Sequence, residues 1–225
     1  MAGSKHYYTL VASLPYLPIF YQTDRLPINR QRLDQRLGML EPDDKTVVSL
    51  AEEFIKWQRQ PVNQTNEEIA RFYQRMMNQV TQPVLRDMID YRLSQRTIMV
   101  ALRYRQRGLP LPRGKIWGVG RWVRHIEIYW EHPDFKLSAV HPWIVHARQL
   151  LESNSALELE KLLMKRTWEY LDRISEVSNF RFESVLAYIF QWDITQRWLL
   201  YSREIAQEQL KNLVVETLSE YKKIF

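Results

Sequence analysis

Residues 84–100, VLRDMIDYRLSQRTIMV, return at 185–201 as VLAYIFQWDITQRWLLY, and this echo decides the fold. At an offset of 101 residues, Val84, Leu85, Gln95 and Arg96 recur as Val185, Leu186, Gln196 and Arg197. Between those anchors Met88/Ile189, Ile89/Phe190, Tyr91/Trp192, Leu93/Ile194, Ser94/Thr195, Ile98/Leu199 and Met99/Leu200 keep their physical character. The pattern reads as a duplicated helical unit. Steps of four and three residues put Val84, Met88, Tyr91, Ile98 and Leu102 on one apolar seam with Gln95 in its middle. An amide in such a seam fixes register, because only one alignment supplies its partner. Gln95 and Gln196 are therefore expected to be buried and hydrogen-bonded, with Arg96 and Arg197 flanking the seam.

The two copies differ at one informative position. In the second, Asp193, next to Trp192, precedes Arg197 by four residues, a spacing that pairs opposite charges on one helical face. In the first, the equivalent of Asp193 is Arg92, so Arg92 and Arg96 repel and require acids from elsewhere. Glu67, Glu68, the acidic later half or a partner protein are the available sources.

Composition frames these helices. With 225 residues, 45% of them hydrophobic and 26% charged, the chain has ample material for a core and neither a disordered nor a membrane-embedded character. It has no cysteine, which excludes disulfides and thiolate metal sites and fits a reducing compartment. The uncharged stretch Tyr7–Thr23 carries Pro15 and Pro18 and falls short of the roughly 20 residues a membrane-spanning helix needs. The net charge of +6 is unevenly spread: Tyr91–Ile126 holds no acid and nine cations, leaving −3 for the rest of the chain. A basic centre in an otherwise slightly acidic protein reads either as a solvated helix end and loop or as the contact for an anionic partner surface, for which the candidate contacts are Arg103, Arg105, Arg107, Arg113, Lys115, Arg121 and Arg124.

Four of the six glycines, at 108, 114, 118 and 120, crowd with Pro110 and Pro112 into residues 108–120. This segment reads as a flexible connector between an N-terminal helical half, 1–107, and a C-terminal half, 121–225. Helices are expected over Asn29–Leu40, Asp43–Gln60, Asn63–Gln79 and from Pro83 through the first repeat copy. Arg121–Trp130, rich in aromatic and β-branched residues, reads as helix or strand, its length and neighbours favouring helix; further helices are expected over Pro142–Leu151 and Ala156–Ser178, and from Phe182 to Phe225, the last as one helix or two collinear ones. Only Tyr8–Leu14 alternates with a period of two, so the expected class is all-α with a short extended N-terminal segment.

The sequence announces no chemistry. His141 and His146 are five apart and do not share a helical face, so no metal site is expected. Residues 114–120, GKIWGVG, lack the spacing and the hydroxyl residue of a phosphate loop. Neither a nucleophile elbow nor a catalytic dyad is present, so neither an enzyme nor a cofactor is expected. Tyr104, Trp117 and Trp122 interleave with arginines as in a nucleic-acid surface, which makes a helical nucleic-acid binder the alternative reading.

Several short motifs resemble one family in order and spacing. They are YYTLVASLP at 7–15, Pro133-Asp134-Phe135, Trp168 with Leu171-Asp172, and Trp192-Asp193 with Arg197. Together they look like the bacterial family of formally unknown function encoded in V/A-type ATPase operons, from whose pattern the chain departs at Lys136, where glycine is expected. The resemblance implies a non-catalytic rotary-ATPase component, cytoplasmic and peripheral at the membrane through its complex. It is similar in role to the stalk subunit, called C or d, that seats the central shaft on the proteolipid ring. Stalk and ring subunits are then the expected partners.

Overall fold

The structure, a computed structural model, describes residues 6–58 and 64–203 in full and the backbone of 204–224. The expected helix ends at Gln60, Asn63 and Phe225 lie outside those residues. The described chain is all-α: α1 (Tyr8–Ser13), α2 (Arg30–Leu37), α3 (Pro42–Gln58), α4 (Asn66–Gln79), α5 (Pro83–Gln106), α6 (Val123–Ile128), α7 (Trp143–Glu152), α8 (Ala156–Val177) and α9 (Phe182–Ile224). Both copies of the repeat are helical, within α5 and α9. The period-two stretch near the N-terminus is a correction: Tyr8–Ser13 is a helical turn, and extended pairing is reduced to one antiparallel bridge between His6 and Arg181. Leu10 explains the preference, since the turn buries it to 1% exposure.

Local chemistry sets the helix starts. At α4 the Thr65 hydroxyl accepts from the Glu68 N–H at 3.2 Å while the Glu68 carboxylate accepts from the Thr65 N–H at 2.8 Å, so two orphan donors are satisfied reciprocally. At α5 the Gln82 side chain accepts from the Leu85 N–H at 2.7 Å, and Pro83 occupies the first turn, where its missing N–H costs nothing. Gln82 also reaches Glu183, its counterpart 101 residues on, at 3.5 Å, so the two repeat helices begin side by side.

Packing cuts across the two sequence halves. One apolar cluster joins α1–α4 and the first half of α5 (Leu85, Met88, Ile89, Leu93) to Met164, Trp168 and Leu171 of α8 and to Phe182–Ile194 of α9. The other joins the second half of α5 (Ile98, Met99, Ala101, Leu102) to Trp117, Ile126, Trp130, Phe135, Leu137, α7 and the start of α8. Helix α5 thus runs through both, and α8 does the same in the opposite sense. On α5 the changeover is polar, with Ser94, Gln95 and Thr97 all buried, and on α8 the buried Thr167 lies one turn past the changeover. Each fully buried side chain such as Phe54 or Ile98 contributes about 1.5–3 kcal/mol of burial.

The connector is a strap rather than a flexible link, which corrects the reading from composition. Trp117 and Val119 are buried, one in each cluster. Thr97 holds the Val119 backbone with two bonds, its hydroxyl donating to the carbonyl at 2.8 Å and accepting from the N–H at 2.9 Å. Glycine is required for this approach, because a Cβ on Gly118 would meet Thr97 Cγ2 at 2.6 Å. Gly120 combines a φ of +84° with a Cβ position 2.9 Å from Ser94 Oγ.

Candidate functional site

The seven candidate partner-binding cations do not share one fate. Arg103 and Arg107, one turn apart at the C-terminal end of α5, are exposed, as are Arg113, Lys115 and Arg124. Among the described residues none of these five enters a salt bridge. Their helix-end placement is favourable for Arg103 and Arg107, because the last carbonyls of α5 carry partial negative charge. The loop that follows exposes apolar groups among the cations, Leu109 at 44% and Ile116 at 49%.

Arg105 and Arg121 are corrections. Arg105 donates to the carbonyls of Trp130, at 2.7 Å, and His132, and lies 5.6 Å from the centre of the Phe135 ring. It ties the end of α5 to the turn after α6 and is not available to a partner. Arg121 pairs with Asp90 at 3.2 Å, so the basic stretch is neutralised in part from within. The interleaved aromatics are core as well: Trp117 is 2% exposed and donates its indole N–H to Glu127 at 3.0 Å.

The polar layer lies between α5 and α8. Gln95, expected to be buried, is 5% exposed. It accepts from Arg92 at 2.7 Å and donates to the Leu163 carbonyl at 3.2 Å. Arg92 is satisfied by neutral oxygens, those of Gln95, of Thr167 at 2.8 Å and of Gln58 at 3.4 Å. Burial, and then the neighbouring Arg197, pull its pKa down to about 10. Of the expected acids, Glu68 caps α4 and Glu67 is exposed, whereas Glu160 and Asp193 of the later half lie near enough to favour the Arg92 charge. Thr167 and Gln58 were invisible to sequence reasoning, since neither sits at a motif or at a fixed spacing from Arg92.

The second copy behaves differently. Asp193, 5% exposed, pairs with Arg197 at 3.2 Å as the four-residue spacing predicts. Trp192 is buried and donates to the Ile28 carbonyl at 2.8 Å. Gln196 is only half-buried, which corrects the expectation that it matches Gln95. It borders an open groove of about 300 Å³ with Arg30, Glu52, Lys56, Trp192 and Asp193. Trp198, two residues on, still packs against the apolar cluster, so Gln196 lies on the groove side of a helix that remains partly embedded. Arg96 is exposed at its surface, yet burial of part of its guanidinium and then the nearby Arg103 lower its pKa.

Among the described residues no group of three or more histidines or carboxylates is placed to hold a metal ion, and no helix is long and apolar enough to cross a membrane. Fold and face together define a helical protein built around shared cores with an exposed basic-apolar tip. The chain belongs to the family described as protein of unknown function DUF2764, whose model matches residues 45–220. No curated protein and no solved structure matches it.

Proposed function

We propose that this protein is a non-catalytic component of a bacterial V/A-type rotary ATPase, a stalk adaptor or assembly component that meets the central shaft and the proteolipid ring. It docks on an acidic subunit surface through Arg103, Arg107, Arg113, Lys115 and Arg124, on the cytoplasmic side and peripheral to the membrane. One observation carries this reading: the tip at 107–116 exposes cations without internal ion pairs beside Leu109 and Ile116. Charges at the rim steer association while a few apolar groups supply contact area. The resemblance of the Tyr7–Pro15, Pro133–Phe135 and Trp192–Arg197 motifs to the ATPase-operon family supplies the partner class.

Reversal of Arg103, Arg107, Arg113 and Lys115 to glutamate, with Arg105 kept, tests it. The reversed protein is expected to lose co-purification with the ATPase from its native bacterium while its circular dichroism and melting temperature stay unchanged. Wild-type association should weaken as salt rises. Undiminished co-purification of the reversed protein removes the tip from the interface. Tight binding of single-stranded nucleic acid by the wild type at physiological salt replaces the reading altogether.

A further inference from the structure

A second site lies beside α5, independent of the tip. A cavity of about 120 Å³ is bordered by Ser94, Arg121, Trp122, His141, Trp143 and Tyr91. Three of its buried polar atoms, Ser94 Oγ, Trp143 Nε1 and His141 Nε2, have no hydrogen-bond partner. Ser94 is 3% and Trp143 5% exposed, so open solvent does not readily serve them. The fold satisfies comparable groups elsewhere, giving the indoles of Trp117 and Trp192 a carboxylate and a carbonyl. Three orphans converging on one small cavity mark a place for something the chain itself does not supply.

The donor set says what that is. An indole N–H can only donate, a hydroxyl and an imidazole nitrogen can do so, and the terminal nitrogens of Arg121 remain beyond the bond its Nε makes to Asp90. No carboxylate borders the cavity, so its occupant must accept hydrogen bonds. Arg121 carries one positive charge and already shares it with Asp90, so the site holds at most a singly charged acceptor and never a doubly charged one. At about 30 Å³ per water the volume corresponds to roughly four waters, the size of a short carboxylate. Trp122, Ile98 and Val140 provide apolar wall for an alkyl tail. We propose that this cavity binds a small monocarboxylate, its oxygens taken by Ser94, Trp143 and Arg121 and its tail against Trp122.

The test follows the Trp143 indole N–H by nuclear magnetic resonance, assigned with Trp143→Phe, as propionate is added at constant ionic strength. A saturable shift in the millimolar range is expected, and it should weaken by about fivefold or more in Ser94→Ala and in Arg121→Gln, the worth of one charge-assisted bond. Arg103→Gln should leave it unchanged. Amide-capped N-acetylglutamate separates the sources: shifts with both compounds assign the site to an acidic side chain as well, and shifts with propionate alone assign it to a free acid. An equal response to chloride shows a general anion effect, and no saturation in the folded wild type shows that only water fills the cavity; either result overturns the proposal. So does unchanged affinity in both variants, each first checked for native circular dichroism.

Discussion

Gln95 and Arg92 lean on each other, and neither is replaceable alone. The amide of Gln95 gives Arg92 its closest buried acceptor, so Gln95→Leu strands a guanidinium whose charge is already disfavoured by burial. We expect a loss of about 2 kcal/mol in denaturant unfolding. The double variant Arg92→Met, Gln95→Leu should recover most of it, because the charge and its acceptor leave together. Equal and additive losses would show the two side chains to be independent. The turn before α7 offers a second case. Phe135 and Lys136 both hold left-handed backbone, φ +53° and +55°, and the Asp134 carboxylate anchors them by accepting from the Lys136 N–H at 3.0 Å. Lys136→Gly should stabilise by about 1 kcal/mol, read from the melting temperature. Bonds from Ser138, His132 and that N–H hold the Asp134 carboxyl down at about 2. Because the folded value lies below the unfolded one, its contribution is present above about pH 4 and is lost as pH falls toward 2. Asp134→Asn should therefore melt lower at neutral pH and flatten the acid branch of the melting curve; an acid branch identical to wild type would assign the loss to other carboxylates.

At the scale of elements, the strap over α5 depends on two glycines that composition alone misread. Gly118→Ala should cost about 1–3 kcal/mol, because the new methyl group meets Thr97 Cγ2 at 2.6 Å. Thr97→Ser removes that carbon, keeps the hydroxyl that holds Val119, and should restore part of the loss; the cycle is measured by urea unfolding. Gly114→Ala, with open space around it, should cost only the strain of its φ of +71°. The helices themselves were legible because their signals are local: the Thr65/Glu68 box, Pro83, and seams stepping by three and four. The strap was not. A Gly-Pro-rich run looks the same whether it floats or lies on a helix, and the deciding contacts to Thr97 and Ser94 are about two dozen residues away in sequence. Arg105 was misassigned for the same reason, since the carbonyls it binds carry no mark in the sequence.

For the whole molecule, the decisive fact is that each apolar cluster draws on both sides of residues 108–120. The chain should unfold in one transition, with tryptophan fluorescence and far-ultraviolet circular dichroism coinciding across a urea titration. A fragment of residues 1–107 lacks Trp168, Leu171 and Phe182–Ile194, and should show no cooperative melt alone. A sharp melt for that fragment, or two separated transitions for the full chain, would mean that the halves are autonomous. The sequence echo between 84–100 and 185–201 gave the right element type for both copies. It did not reveal that each copy has its own surroundings, Gln95 walled in by α8 and Gln196 half in water.

Helix α5 is 24 residues long, about 36 Å at 1.5 Å per residue, and both of its ends are set in close-packed matter. In engineering terms it is a beam built in at either end. A pin-jointed beam rotates at its supports under a transverse load, whereas a built-in one resists at both supports and deflects far less at midspan. Twisting one cluster against the other must shear α5 and α8 together, and with them the strap that sets Trp117 in one cluster and Val119 in the other. A displacement of one cluster is therefore carried to the other along two continuous helices.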